Sequence, residues 1–598
     1  MFRDIQKLFS LLTPIQRKHF IILQVLVVLM AVVEIVGIAS ILPFMTLVGD
    51  MSLINRDTYL SYLYQASGVS SESQFIFLLG ISVLAMLIIS ASVSMYTIWK
   101  LSLFANRIGV EISGSLYTYY LRQNWLFHTS VSSAQLTKKI ATETQRVTQG
   151  VLVPLMHMNA KGVLAILLSV TLFIYDPIVA LVGIITFSLA YIILYRFVRF
   201  KLHKNGQVIS EMNEKRFYLK NEGFGGIKDI LLIGRGNDLI KRFNQTGDAL
   251  ANSQGGNAAL AHAPRYFMEL VAFGSMILLV LYLTATHNGN LGIILPILSV
   301  YALAGFKLLP ALQQIYASAA TIKGSISAFE SIQDDLSNFF DQDQRTPIQD
   351  SKCLHFERKI LLENVSFTYP NKTAPAINEL NISIPVNSFI GVVGPSGAGK
   401  STLVDIILGL ISPQNGRLIV DETTITTENC RLWQNDIGFV AQSIFLSDAS
   451  ISENIAFGVQ KNEIDFDKVR ETLKLAQLTE LVDSLEKGID AFVGERGVQL
   501  SGGQRQRIGI ARALYHDAKL LVFDEATSSL DGITEKMIME SITNFTGKKT
   551  IVIIAHRLKT VKKCDRIFFM DQGKVIDEGS YDKLIETNDY FKKMASHA

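Results

Sequence analysis

The sequence predicts a two-part fold: an all-α membrane domain of six spanning helices, then an α/β domain built around a phosphate-binding loop. Three observations predict it. Apolar runs of roughly 20 residues or more, the length a helix needs to cross hydrocarbon, recur six times before residue 320. Strand-like Phe389-Ile390-Gly391-Val392-Val393 runs directly into Gly394-x4-Gly399-Lys400-Ser401. Hydrophobic residues make up 49% of the 598-residue chain and charged residues 18%, against about 25% charged in soluble domains. A chain of this length exceeds one hydrophobic core, so several domains are expected. The net charge of +3 gives no reason to expect a nucleic-acid partner. The cysteines Cys353, Cys430 and Cys564 have no metal-ligand or disulfide-like spacing and read as reduced thiols.

The expected spans cover residues 20–47, 75–99, 151–175, 178–200, 265–286 and 290–314. Thr13-Pro14 suits an N-cap followed by proline at the first helical position. The first apolar run is too long for a signal peptide and lacks a small-residue cleavage site, so it reads as a spanning helix. Asp176-Pro177 and His287-Asn288-Gly289-Asn290 make tight turns between spans. Basic residues fix the orientation. Lys100, Arg107, Arg122, Lys138, Lys139 and Arg146 lie between spans two and three, and Arg196, Arg199, Lys201, Lys204, Lys215 and Arg216 lie between four and five. The opposite connections hold Arg56 alone. Both termini and both long connections are therefore expected in the cytosol, for a multi-pass protein of the inner (cytoplasmic) membrane. The long connections read as helices continuing beyond the bilayer, with reversals at Trp125–Ser130 and at Glu222–Lys228.

In the α/β half, the loop glycines let backbone N–H groups turn around phosphates, and the helix beginning at Lys400, Ser401 and Thr402 aims its positive end at them. Lys400 is placed to reach the β- and γ-phosphates of a nucleotide, and Ser401 to ligate Mg²⁺. Apolar Leu520–Phe523 ends in Asp524, suited to holding Mg²⁺, and Glu525, suited to polarising an attacking water. Leu500-Ser501-Gly502-Gly503-Gln504 lies between these two motifs.

These three motifs, in this order and spacing, resemble the ATP-binding-cassette (ABC) ATPases, and six spans with two long intracellular excursions resemble the exporter type. The fold class is thus an ABC exporter-type transmembrane domain followed by a P-loop nucleotide-binding domain. The expected boundaries are 1–335 for the membrane domain, 336–352 for a linker and 353–598 for the ATPase. The resemblance implies ATP and Mg²⁺ as cofactors. It assigns Gly394, Pro395, Ser396, Gly397, Ala398, Gly399, Lys400, Ser401 and Thr402 to the phosphates and Tyr369 to adenine. Gln442 resembles the Q-loop glutamine, joining the Mg²⁺ and water site with Ser401 and Asp524. His556 resembles the switch histidine, and Ser528-Ser529-Leu530-Asp531 matches the D-loop. Ser501, Gly502, Gly503 and Gln504 would cap ATP held by a second subunit. Because one chain carries both halves of that composite site intact, a homodimer is expected, with a heterodimer as the alternative that no degenerate motif calls for. Glu525, His556 and Gln442 are the expected catalytic residues.

Cargo evidence comes from ionisable residues within the spans: Glu34 in span one, Arg265 and Glu269 at the start of span five, Lys307 in span six. Arg265 and Lys307 could bind an anionic head group, or could snorkel or pair with Glu269. Tyr59, Leu60, Leu63 and Tyr64 suit a short interfacial helix. Together with Pro43-Phe44 and the Pro-Arg-x-x-x-Glu element at 264–269, these resemble the bacterial lipid-linked oligosaccharide flippases (the PglK type). That resemblance implies an amphipathic glycolipid cargo, a sugar chain on polyprenyl pyrophosphate, moved to the outer leaflet. Lys307 stands where that family is expected to have arginine, which removes bidentate phosphate recognition there. Span two has no charge between Gln74 and Lys100. The alternative is an ABC exporter of another lipid, a peptide or a drug.

Overall fold

The computed structural model describes residues 6–596 apart from 8, 11–12, 50, 52–58, 70, 176, 263, 287–290, 343–352, 355, 371, 527–531 and 556. The linker, the D-loop, His556, Arg56 and the turn at His287–Asn290 thus lie wholly or mostly outside the described residues. The chain divides into two compact units, Met1–Gln123 with Phe127–Thr346, and Asn124–Leu126 with Pro347–Ala598.

The first unit is helical. Helix α1, Pro14–Ala39, opens on the capping box the sequence suggests. Thr13 Oγ1 accepts from the Gln16 amide, and the Thr13 amide donates to Gln16 Oε1 at 2.7 Å. A second helix, α2 (Ile41–Gly49), follows after a break at Ser40. Pro43 explains the break, since it has no N–H to offer the Ala39 carbonyl one turn back. Span one was expected as a single run; its apolar character continues across the proline while its hydrogen bonding does not. Helix α3, Tyr59–Ser67, forms at the expected external segment, with Tyr64 set edge-on to Phe75 at 5.2 Å.

Helix α4, Glu72–Leu121, has 50 residues and is about 75 Å long, far beyond a bilayer's hydrocarbon. The chain then turns through the short helix α5, Trp125–Ser130. The helical run α6, Ser133–Ile174, carries two π-helical segments, Lys138–Glu143 and Thr148–Leu152. Helix α7, Pro177–Gly225, is 49 residues long and leads into the short α8, Ile227–Ile233. Helices α9 (Gly236–His262), α10 (Pro264–Thr286) and α11 (Leu291–Gln342) complete the unit. Among the described residues, five stretches are long and apolar enough to cross a membrane. The sixth expected span falls on α11, where side chains 291–301 lie outside the described residues. The most apolar window of α7 has none of its residues buried. That pattern suits a helix whose solvent is lipid, because its backbone groups are satisfied internally.

Helices α4, α6 and α11 share a core that includes Leu101, Ile108, Val147, Leu152, Ile322 and Phe329. They meet at near-backbone distance. A Cβ on Gly109 would lie 2.0 Å from Thr148 Oγ1, and one on Gly150 would lie 2.3 Å from Ser325 Oγ. The second π-helical segment contains both Thr148 and Gly150, so the extra residue in that turn sits at the tightest crossing.

Beside this crossing lies a buried charge network. Glu143 is fully buried, 3.6 Å from Lys138 and 2.8 Å from Arg146. Lys138 also reaches Glu214 on α7 at 3.0 Å. Arg146 donates to Ser210 Oγ at 2.6 Å, to the Gly206 carbonyl and to Ser327 Oγ, tying α6 to α7 and α11. Lys139 pairs with Asp335, which also accepts from the Tyr120 hydroxyl.

The second unit is an α/β domain with two sheets. An antiparallel sheet has the order β2-β1-β4-β5, with β1 Lys359–Phe367, β2 Ile377–Pro385, β4 Asn415–Val420 and β5 Thr423–Thr424. The central sheet has the order β10-β9-β3-β8-β7-β6, parallel except for β10 at its edge. Its strands are β3 Phe389–Val393, β6 Ile437–Val440, β7 Leu520–Asp524, β8 Thr550–Ile554, β9 Arg566–Asp571 and β10 Lys574–Gly579. Strands β3 and β8 are buried throughout, as expected for a parallel sheet covered on both faces. Alternation divides their side chains between two cores. Phe389, Val393, Ile551 and Ile553 face one, and Ile390, Val392, Val552 and Ile554 face the other; β7 alternates likewise, with Leu521 and Phe523 on the first side and Leu520 and Val522 on the second.

Candidate functional site

Strands β3 and β7 are parallel, with β8 between them. The loops after their C-terminal ends therefore open on the same edge of the sheet, about 10 Å apart by strand spacing. That edge holds the phosphate-loop candidates and the Asp524–Glu525 pair.

The loop after β3 is shaped by glycine. Gly397 and Gly399 have φ of 82° and 96°, a region that costs other residues strain. A Cβ on Gly399 would lie 2.4 Å from the Ala376 carbonyl oxygen, and one on Gly394 would lie 2.1 Å from that of Met570. The loop is thus wedged between neighbouring backbones, and its cradle exists only while those positions lack side chains. Helix α12, Lys400–Ile407, starts at its end, which points free backbone N–H groups and the positive end of the helix dipole into the cradle.

Lys400 is buried, and its Nζ donates to the Gly394 and Pro395 carbonyls, both at 2.9 Å. Burial holds its pKa below the usual lysine value, opposed by the nearby carboxylates of Glu525 and Asp524. A cation folded over the loop and facing two carboxylates is poised to bind phosphate oxygens. Tyr369 lies edge-on to Phe367, and its hydroxyl is 3.2 Å from Thr402 Oγ1, so its ring stands beside the loop.

Glu525 follows β7 with φ of 51°, the left-handed region that non-glycine residues occupy at a cost. Its amide donates to the Ile554 carbonyl, and its Oε2 accepts from Gln442 Nε2 at 2.6 Å. The sheet edge thus brings together Lys400, Asp524, Glu525 and Gln442. Among the described residues no group of three or more His, Cys, Asp or Glu could hold a metal by itself. One hydroxyl (Ser401) and one carboxylate (Asp524) leave room for phosphate oxygens, the donor set a Mg²⁺ shared with a nucleotide needs.

The Leu500–Gln504 stretch is placed differently. Helix α14, Gly502–Tyr515, begins there after α13, Phe466–Leu475. Ser501 is its N-cap, with the Ser501 amide donating to Gln504 Oε1 at 2.8 Å. Helix α14 contributes Ile508, Ile510 and Ala511 to the same core as Phe389 and Phe523. Helix α12 contributes Leu403, Val404 and Ile407 to the opposite core. The phosphate loop and the Ser501 cap thus belong to helices on opposite faces of one sheet.

Sequence reasoning missed Arg512. Its guanidinium donates to the Asn454 and Phe445 carbonyls at 2.8 and 3.0 Å and lies over the Phe457 ring. A Cβ on Gly509 would lie 2.5 Å from Ile444 Cδ1. The segment carrying Gln442 is therefore clamped to α14. An arginine in the last turn of a helix gives no sign of such a role without the fold.

In the membrane unit, Glu34 is 4% exposed, accepts from Ser94 Oγ at 2.6 Å and lies 3.8 Å from Lys307 Nζ. The three come from α1, α4 and α11, a grouping that sequence spacing could not give. Arg265 is exposed and pairs with Glu269 within α10 at 2.8 Å.

Residues 377–528 match the family model described as ABC transporter, so the second unit is an ABC-type ATPase domain. With the helical unit before it, the chain has the architecture of an ABC exporter half-transporter. It is 38% identical over 230 residues to an "ATP-dependent lipid A-core flippase" of Cupriavidus pinatubonensis, a match covering 38% of this chain and 39% of that protein. It is 27% identical over 501 residues to the protein of the same description from Ralstonia nicotianae, covering 81% of each. A solved structure described as "Structure of a bacterial Atm1-family ABC exporter with ATP bound" shares the fold, with a TM-score of 0.79, 20% identity and coverage of 96% of this chain and 98% of that one.

Proposed function

We propose that this protein, as a homodimer in the cytoplasmic membrane, uses ATP to flip a polyprenyl-pyrophosphate-linked glycan from the cytosolic to the outer leaflet. The observation that carries the cargo reading is the Glu34–Ser94–Lys307 group within the spans. An ionisable pair is costly in a bilayer and persists where it serves a polar ligand or pathway. Glu34 holds Lys307 in an ion pair, and an arriving phosphate competes with the carboxylate for that lysine.

In the ATPase, Lys400 and the loop N–H groups hold the β- and γ-phosphates. Ser401, Asp524 and Gln442 are the residues that would hold Mg²⁺, which supplies charge neutralisation on the phosphates when bound. Glu525, oriented by its backbone and by Gln442, polarises the attacking water, and His556 contacts the γ-phosphate. Tyr369 stacks on adenine. The Ser501–Gln504 cap of one subunit closes over ATP on the other, because its own phosphate loop lies across the sheet. This is why the reading requires two chains. Cytosolic termini follow from the basic connections.

A second reading is favoured by relatives described as lipid A-core flippases whose matches span more than four fifths of the chain, at 25–27% identity. On that reading the cargo is a phosphorylated glycolipid with acyl tails. Transport into proteoliposomes, with fluorescent polyprenyl-pyrophosphate oligosaccharide in one arm and a lipid A-type glycolipid in the other, separates the two. ATP-dependent protection of the first supports the proposal, protection of the second alone transfers it, and protection of neither ends it. Lys307→Ala is expected to lower flipping about tenfold, the value of one charge-assisted contact. Undiminished flipping in that variant would remove Lys307 from the cargo path.

A further inference from the structure

Lys161, on α6, lies ten residues inside the third expected span, 151–175, and is half-buried. Among the described residues no carboxylate pairs with it and no acceptor receives a hydrogen bond from its ammonium. A Cβ on the next residue, Gly162, would meet nothing within 4 Å, so there is open space beside the lysine. A cation at such depth is costly, and it stands where it faces a polar ligand or a water-filled path. Lys307 differs, since Glu34 holds it at 3.8 Å.

The packing of Ala31, Leu164 and Ala311 sets α1, α6 and α11 at a common depth. On the orientation read from charge, α1 and α6 run outward there and α11 runs inward. Glu34 follows Ala31 by three residues and Lys307 precedes Ala311 by four, so both stand about 5 Å to the outer side at the helical rise per residue. Lys161 precedes Leu164 by three and stands about 5 Å to the cytosolic side. The two lysines are therefore successive along the membrane normal, with an apolar layer between them. Polar contacts lead up to Lys161 from the cytosolic side. Gln149 of α6 donates to Asn106 Oδ1 of α4 at 2.9 Å. One turn before Lys161 on the same helix face is His157, within electrostatic reach of the lysine, and its Nε2 lies 3.3 Å from Ser102 Oγ of α4. Side chains lean toward a helix's N-terminus, which carries the Lys161 ammonium toward that turn.

We infer that Lys161 binds the phosphate of the cargo's head group on its way in from the cytosol, before Lys307 does. The inference deepens the proposed function and rests on its reading of the cargo as a phosphorylated lipid. The two lysines then do different work. Lys161 has no carboxylate to displace, so an arriving phosphate meets a ready charge. Lys307 is released only when the phosphate outcompetes Glu34. Lys161 was not among the ionisable candidates of the sequence, because the apolar residues on both sides of it make the span read as uninterrupted.

The test is equilibrium binding to the full-length protein in lipid nanodiscs without ATP. The probes are a fluorescent polyprenyl pyrophosphate and the matching polyprenol without phosphate, with inorganic pyrophosphate as a soluble competitor. Lys161→Met is expected to lose about tenfold in affinity for the pyrophosphate lipid, the value of one charge-assisted contact, and nothing for the polyprenol. Its thermal unfolding midpoint is expected to hold or rise, since the span loses an unpaired charge and no partner is orphaned. Lys161→Arg, which keeps the charge, is expected to retain the affinity. The loss is expected to be as large in a Lys307→Ala background, because separate sites contribute independently. A loss that vanishes in that background would make the two lysines one site and overturn the order. Undiminished pyrophosphate binding in Lys161→Met, an equal loss for both lipids, or displacement of the lipid by an equal concentration of inorganic pyrophosphate would each overturn the inference, the last by giving the site to a soluble anion. ATP-driven flipping with binding indifferent to Lys161 sinks this site alone. A Lys161-dependent preference for the pyrophosphate in a protein that flips neither glycolipid leaves the site standing and sinks the proposed function.

Discussion

Glu525→Gln is expected to reduce ATP turnover by about 10²- to 10⁴-fold, the usual contribution of a general base, while ATP still binds. The substitution keeps the size and hydrogen-bonding reach of the side chain and removes its charge. The backbone at this position is held in the left-handed region, with the amide bonded to Ile554, so the amide variant occupies the place of the carboxylate. Gln442 still finds an oxygen to donate to. Phosphate contacts from Lys400 and the loop are untouched, so nucleotide accumulates unhydrolysed and the two ATPase domains stay closed on it. Steady-state phosphate release together with retention of labelled ATP on a filter reads both halves of this expectation. Turnover near wild type would remove Glu525 from its role.

Glu143→Ala is expected to cost about 3–5 kcal/mol of stability in the membrane unit. The residue is fully buried, and its carboxylate faces Lys138 and Arg146, themselves 7% and 15% exposed at the side chain. Removing it leaves two cations in a low-dielectric interior, one of which retains Glu214 as partner. Arg146 keeps only neutral acceptors, Ser210, Ser327 and the Gly206 carbonyl. A double variant, Glu143→Leu with Arg146→Met, should recover part of the loss, because no unpaired charge is left buried and only the neutral groups of Ser210, Ser327 and Gly206 lose partners. Thermal unfolding of the detergent-solubilised protein, followed by size exclusion, decides it. An unchanged midpoint for Glu143→Ala would show that the network is solvated rather than buried.

The ATPase half was legible in the sequence to a degree that the membrane half was not, and the reason lies in spacing. Gly394, Lys400, Asp524 and Glu525 lie in the segments that follow strand ends, and a strand followed by a glycine loop or an acidic pair is written contiguously. The charge network is not. Lys138, Lys139 and Arg146 enter a sequence reading as positive charge that orients the spans, yet in the fold they pair with Glu143, Asp335 and Glu214, partners as far as 196 residues away. The break at Ser40 follows from Pro43 by backbone chemistry, but a hydropathy window averages across it. Arg512 was invisible for a third reason. It acts through a group on another segment, the Phe445 carbonyl. Arg265 and Lys307 look alike in sequence, and the fold separates them. One pairs along its own helix, the other across to Glu34.

The placement of α12 and α14 on opposite faces of the central sheet reaches into genetics. On the homodimer reading, a phosphate-loop lesion and a cap lesion damage different halves of each shared site. Homodimers of Lys400→Ala have no sound site, and neither do homodimers of Ser501→Arg. A cell making both variants also assembles hybrids, in which the two lesions converge on one site and the other is built entirely from undamaged halves. Two null alleles should therefore complement each other when expressed together, with phosphate release reappearing in a mixture where each parent shows none. Two alleles damaged in the same half should never do so.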